Sequence, residues 1–163
     1  MVIHSANDAT DTLTIARRDI DADLEKIFSD LDINAIYREP NEILFSTRDF
    51  AKTLRILYNG SYLSHEMSEK ALKLLSKVEF KEGLRQGVDE KILISNKFGQ
   101  RTRLTENNEV ASRQLHDCGI VYHQHEPYIL CVMSKGMEYD KLSSFIGEVS
   151  KTIFDTMQEE LKK

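Results

Sequence analysis

The chain is poor in cysteine, in proline and in excess positive charge, and it contains no long apolar run. Two cysteines, Cys118 and Cys131, are too few for a disulfide-stapled scaffold, so a hydrophobic core has to carry the fold. With 163 residues, 40% of them hydrophobic and 30% charged, there is material for one globular domain with its own core. The net charge of −5 argues against a general nucleic-acid binder, which needs clustered Lys and Arg. No apolar run approaches the roughly 20 residues of a membrane-spanning helix, and no signal-peptide core opens the chain. These residues therefore carry no export address. The compartment stays open, because a preceding segment would hold any such signal. No internal repeat or low-complexity tract is present.

What is present is organised around residues 91–136. Three runs, 91–97, 114–123 and 128–134, are rich in Ile, Val, Leu and Tyr and bounded by Gly, Pro and polar clusters, which predicts strands. A polar segment separates the first two. The short link Gln124, His125, Glu126, Pro127 makes the last two an antiparallel hairpin, and Pro127 suits a strand start, where its missing N–H costs least. A turn centred between Gln124 and His125 makes Cys118 and Cys131 cross-strand partners on one face. Most simply they are small buried hydrophobes. A disulfide is the lesser alternative, favoured only in an exported parent protein. His123, His125 and Glu126 bring metal-type donors close together. A hairpin turn is polar in any case and no third spaced ligand accompanies them, so no metal and no cofactor is expected.

Helical patterns flank this region. Residues 1–31 read as two helical pieces, with Ser5, Asn7 and Asp8 as N-cap types and Ile20, Leu24, Ile27, Phe28 and Leu31 on one face. Periodicity fails over 32–46, where Pro40 discourages helix at Glu39, and this segment reads as a loop. A helix returns at Thr47 or Arg48 with Phe50, Leu54, Leu57 and Tyr58 on one face, and Gly60 stops it. Ser64 caps the next helix, with Met67, Ala71, Leu74 and Leu75 inward, and Gly83 and Gly87 punctuate a mixed stretch over 77–90. Residues 139–161 form a long amphipathic helix through Leu142, Phe145, Ile146, Val149, Ile153, Met157 and Leu161. The expected fold is α+β: a helical N-terminal part over 1–80, then a three-stranded antiparallel sheet and a long closing helix over 88–163, in one domain.

Several short motifs add a resemblance. His4, Ser5, Ala6 and Asn7 precede an apolar helix, and Lys97, Phe98 and Gly99 close the first strand. Their order resembles the Ser-Asp-Asn and Lys-Thr-Gly motifs of penicillin-recognising serine hydrolases, the class A β-lactamases and D-alanyl-D-alanine carboxypeptidases. The last two strands and the closing helix resemble the end of that domain, so the similarity covers nearly the whole chain. Its specificity comes from order and spacing together. Ala6 stands for the family's aspartate and Phe98 for a hydroxyl residue. No serine in the chain has a lysine three residues on, so the family's Ser-x-x-Lys segment is missing, as are its first two strands. The chain thus resembles the C-terminal portion of a longer hydrolase.

The resemblance implies roles. Ser5 would relay a proton to the leaving nitrogen, Asn7 would hold the substrate amide, and Lys97 would meet the substrate carboxylate beside Phe98 and Gly99. A lysine suits that task, because an ammonium attracts a carboxylate and assists proton transfer at a nearby hydroxyl. Helix capping explains Ser5 and Asn7 equally well, and a lysine ending an edge strand is a common protective device. Arg38, Glu39, Pro40 and Asn41 resemble the loop whose glutamate positions the deacylating water, with an ordinary turn carboxylate as the alternative. His116, followed by Asp117, touches substrate or caps its strand.

Without Ser-x-x-Lys a serine hydroxyl lacks its base, and no acyl-enzyme can form. Two classes follow: part of an acyl-transfer hydrolase whose nucleophile lies elsewhere, or a non-catalytic binding module that keeps the fold. The expected ligand is a β-lactam or a cell-wall peptide. The expected partner is a second copy or the missing N-terminal half. Neither nucleic acid nor a membrane span is expected.

Overall fold

A computed structural model of the chain describes residues 2–5, 7–8, 12, 20–38, 42–124 and 126–160. Three long strands, β3 (Ile94–Leu104), β4 (Val110–Val121) and β5 (Tyr128–Gly136), form one antiparallel sheet in the order β3-β4-β5. Before them come helix α1 (Ile20–Asp30), a small ribbon of β1 (Ile36–Arg38) and β2 (Glu42–Leu44), helices α2 (Thr47–Asn59) and α3 (His65–Leu75), and a 3-10 turn (Gly83–Gly87). Helix α4 (Tyr139–Glu160) closes the chain. The α+β expectation holds.

Strand alternation decides what packs where. Ile94, Val121 and Tyr128 share one face with Leu115, Leu130 and Val132, and α4 lies over it through Leu142, Ile146 and Phe154. Cys118, Ile120, Ile129, Cys131 and Met133 point the other way, onto Phe50 and Leu54 of α2 and Leu72 and Leu75 of α3. Each fully buried aliphatic side chain contributes about 1.5–3 kcal/mol, so apolar burial on both faces holds the sheet between helices. The helix signals work as expected. Gly60 ends α2 in the left-handed conformation at φ 57°, and Ser64 Oγ accepts from the Met67 N–H to start α3. Ser46, one residue ahead of α2, caps it by accepting from the Asp49 N–H at 3.1 Å.

Four expectations change. The sheet's first strand starts at Ile94 and runs on to Leu104, and β4 starts at Val110, so the supposed polar separator is the tip of a hairpin. Thr105 and Glu109 close it with a 2.8 Å backbone bond, and Asn108 adopts φ 61°. The outer end of this hairpin is polar on both faces, so alternation gives no signal there. Residues 32–46 hold a ribbon in which Arg38 pairs with Glu42, too short for a periodic pattern. In α3, Leu72 and Leu75 turn inward while Met67 and Leu74 are exposed. In α4, Phe145 and Ile153 are exposed and small residues, Ser143, Gly147 and Ser150, are buried instead. Of the first expected N-terminal piece only residues 2–5, 7–8 and 12 are among the described residues; the rest lies outside them, as do Pro40, His125 and Leu161. No helix among the described residues is long and apolar enough to cross a membrane.

The expected pairing of Cys118 with Cys131 holds, and the structure joins them as a disulfide, where free buried thiols were the simpler expectation. Direct cross-strand partners are close enough for the bond, and burial alone does not decide their oxidation state. The bond closes a short loop, worth about 3 kcal/mol in the chain-entropy account for a loop of about 15 residues. Urea unfolding with and without a dithiol reductant should therefore show a stability loss of about 2–3 kcal/mol. Identical midpoints would show that the bond adds nothing to the hairpin.

Candidate active site

On β3 the side chains of Ser95 and Lys97 and the Cα hydrogen side of Gly99 fall on the α2–α3 face, and Asn96 and Phe98 on the α4 face. Lys97 Nζ donates to Ser5 Oγ at 2.5 Å and to the Phe98 carbonyl at 2.7 Å. Ser5 comes from the far end of the chain and holds φ 50°, a left-handed conformation that costs a non-glycine residue on the order of 1 kcal/mol. The Lys97 ammonium is half-buried. Burial pulls its affinity for the proton below the ordinary lysine value, and the negative charge of Asp117 pushes back.

Gly99 pairs with His116 on β4, and a Cβ built there would meet open space. That space is a cavity of about 270 Å³ lined by Phe45, Phe50, Lys97, Gly99, His116 and Met133 among others. His116 Nδ1 accepts from the Ser134 N–H at 3.3 Å, which leaves Nε2–H as a donor. Burial holds the imidazole below its usual value, with a smaller opposing effect from the Leu115 backbone, so the neutral ring is favoured. The cavity thus combines a cation, a neutral imidazole and an aromatic wall. It suits an anionic ligand with an apolar part.

Phe98 stacks on Phe80 with ring centroids 4.1 Å apart, and Lys97 Nζ sits 5.0 Å from its ring centre. Behind the site Asp117 is fully buried. It accepts from Asn96 Nδ2 at 2.9 Å and from the Leu84 N–H at 3.0 Å. A side chain at Gly83 would meet Asp117 Oδ2 at 2.7 Å, and Gly83 also has φ 64°, so the turn needs glycine there.

Of the residues singled out from sequence, Lys97, Phe98, Gly99 and His116 line one cavity, and Ser5 is bonded to Lys97. Asn7 is exposed, and Glu39 lies outside the described residues. Sequence reading missed Asn96, Phe80 and the wall formed by Phe45, Phe50 and Met133. One signal was available for Asn96: a carboxylate inside the apolar run of β4 demands a buried partner. Among the described residues no group of three or more His, Cys, Asp or Glu is placed to hold a metal ion.

The family model described as the beta-lactamase enzyme family matches residues 1–157. No curated protein matches. Among solved structures, PBP-A resembles this chain at 18% identity with a TM-score of 0.69, over 85% of this chain and 51% of that one. A mutant of PBP-A, described as an acyl-enzyme complex with penicillin G, gives the same identity and TM-score over 85% and 52%. A β-lactamase from Chitinophaga pinensis matches at 17% identity and a TM-score of 0.70, over 83% of this chain and 55% of that one. The chain spans about half the length of these structures.

Asp117 gives the site a pH signature. Its carboxyl, ordinarily near 3.8, is pushed up to about 6, first by burial, against the bonds from Asn96 and Leu84 and the charge of Lys97. The folded chain holds this proton more tightly than the unfolded chain does. The stability it contributes is therefore fully present below about pH 4 and is lost as pH rises through about 6, a difference on the order of 3 kcal/mol. Denaturant unfolding between these pH values should show stability declining in the parent chain. Asp117→Asn, which cannot ionise, should remove that part of the decline, and an unaltered slope in the variant would reject the assignment.

Proposed function

The chain belongs to the beta-lactamase enzyme family, and from that premise we propose that it is the ligand-recognition part of an acyl-transfer serine hydrolase, acting on β-lactams or D-alanyl-D-alanine-type amides. The observation that carries the reading is the bond to Ser5 Oγ from Nζ of Lys97, a residue that lines the cavity. By donating to Ser5, the ammonium fills one of the acceptor positions of Oγ and leaves the hydroxyl hydrogen free to be given away. Ser5 then passes a proton to the leaving nitrogen, and Lys97 draws the ligand carboxylate. Half-burial leaves that attraction less screened than at an open surface. Phe98 offers no hydroxyl, so the carboxylate rests on Lys97 and backbone donors. Asn7 holds the amide, the Nε2–H of His116 adds a donor, and Phe45, Phe50 and Met133 receive an apolar acyl group. Glu39 orients the deacylating water.

On this reading the nucleophile comes from outside these 163 residues, because no serine among them has lysine three residues on. The chain is then incomplete for turnover and takes as its macromolecular partner an N-terminal half that carries the nucleophile, which a second copy of the same sequence cannot supply. The penicillin carried by the similar PBP-A supports a β-lactam as the ligand. A non-catalytic binding module is the second reading, favoured by a formed cavity in a chain without an activated nucleophile.

Calorimetric titration with penicillin G should show reversible binding, and Lys97→Ala should weaken it at least tenfold, about 1.4 kcal/mol. Intact-mass spectrometry after incubation should show no covalent adduct. Acylation at Ser5 would overturn the assignment of the nucleophile to another segment, and no binding at all would remove the recognition role.

A further inference from the structure

On the sheet face that carries the cavity, three residues stand in one row across the strands. Lys97 of β3 is the direct partner of Cys118 of β4, and Cys118 is the direct partner of Cys131 of β5. Direct partners share a face, with Cβ atoms about 4.5–5.5 Å apart. Strand register fixes this row, so a further strand beside β5 would leave it unchanged. Helices α2 and α3 pack over the two sulfurs with Phe50, Leu54, Leu72 and Leu75. Cys118 lines the cavity of about 270 Å³ and is only 2% exposed, so a small reagent in the cavity is what can reach its sulfur.

The row bears on the chemistry of the reduced pair. Burial by itself keeps a thiol protonated, and a neighbouring cation favours the thiolate, which is the nucleophilic form. Lys97 Nζ carries three N–H donors. Among the described residues it gives one to Ser5 Oγ and one to the Phe98 carbonyl, which leaves one for an anion. Cys131 has no cation as its direct partner. Its partner is Cys118, and the one charge on its own strand, Lys135, stands four residues away. The two cysteines are therefore unequal: Cys118 sits beside an ammonium, and Cys131 sits beside Cys118. A thiolate with a second cysteine in reach is the arrangement of a peroxide-sensitive thiol.

We propose that the reduced pair is a hydroperoxide-reactive dithiol, with Cys118 as the attacking thiolate, Lys97 as the cation that holds it, and Cys131 as the resolving thiol. Cys118 Sγ attacks one oxygen of a small hydroperoxide. The O–O bond breaks, the other oxygen leaves as an alcohol or water after taking up a proton, and Cys118 becomes a sulfenic acid. Cys131 Sγ then attacks Cys118 Sγ, the S–O bond breaks, and the hydroxyl leaves as water with the proton of the Cys131 thiol. The two sulfurs lose two electrons and the peroxide gains them. The product is the Cys118–Cys131 bond seen in the structure, and a dithiol reductant restores the two thiols. This activity goes beyond the ligand reading and needs no ligand.

Trapping with dimedone, read by peptide mass spectrometry, tests it on the reduced and folded chain freed of reductant. In Cys131→Ser, hydrogen peroxide should form a sulfenic acid on Cys118 at least tenfold faster than it does on Cys131 in Cys118→Ser. Adding Lys97→Met to Cys131→Ser should slow the reaction at least tenfold, and Lys97→Arg, which keeps the charge, should retain most of the rate. With both cysteines present, peroxide should close the disulfide with loss of the two thiol hydrogens, at least tenfold faster in the folded chain than in urea. Circular dichroism checks the fold of each variant. Where a serine variant unfolds, the rate of disulfide closure in the two-cysteine chain, with and without Lys97→Met, decides instead. Equal rates for the two cysteines, with and without Lys97→Met, or in folded and unfolded chain overturn the proposal. Failure here leaves penicillin binding untouched, and loss of penicillin binding leaves these rates untouched.

Discussion

Asp117 is a carboxylate with no exposed surface, and three parts of the chain close on it. Asn96 reaches it from β3, the Leu84 N–H reaches it from the 3-10 turn, and its own strand is the centre of the sheet. A buried carboxyl is costly unless hydrogen bonds replace the lost water, so the turn has to sit where it does. That placement requires glycine at Gly83 and brings the turn against α4 through Ser143 and Ser150. The long helix is thereby fixed over one sheet face by polar contacts as well as by Leu142, Ile146 and Phe154.

The site depends on the same strands seen from the other face. Alternation puts Lys97 and Gly99 opposite to Asn96 and Phe98, so one side of β3 ends in the buried Asn96–Asp117 network and the other opens into a cavity. The negative charge of Asp117 still acts on Lys97 through the sheet and offsets part of the desolvation of its ammonium. Phe98, next to Lys97 on β3, is held against Phe80 by ring stacking. Lys97 supplies a cation to this cavity, with His116, whose burial favours the neutral ring, beside it. Cys118 lines the same cavity, and its bond to Cys131 ties the two strands that carry His116 and Met133.

Much of this was written locally. The apolar runs, the Gly60 stop, the Ser64 cap and the link at Gln124 to Pro127 define helices and strands through the few residues around them. The register of the last hairpin follows from the length of its turn, which is why Cys118 and Cys131 could be paired in advance. Family membership was legible in the order of Ser5, Asn7, Lys97 and Gly99. The polar hairpin tip beyond Gly99 was not, because a strand with no buried face shows no alternation.

Tertiary structure alone decided the rest. Whether Leu72 or Leu74, and Phe154 or Phe145, turns inward depends on the angle at which each helix meets the sheet, and an apolar stripe wider than its contact does not specify that angle. The bond between Ser5 and Lys97 joins residues that only the folded chain brings together, and neither residue's neighbours in sequence encode it. The same holds for Asp117: its partners, Asn96 and the Leu84 N–H, come from distant segments, and burial of the carboxyl is a property of what covers it. Sequence determined the elements and the residue types at the site. The packing of helices on both faces determined which of those residues meet, because contact is set by the geometry of whole elements and not by local preference.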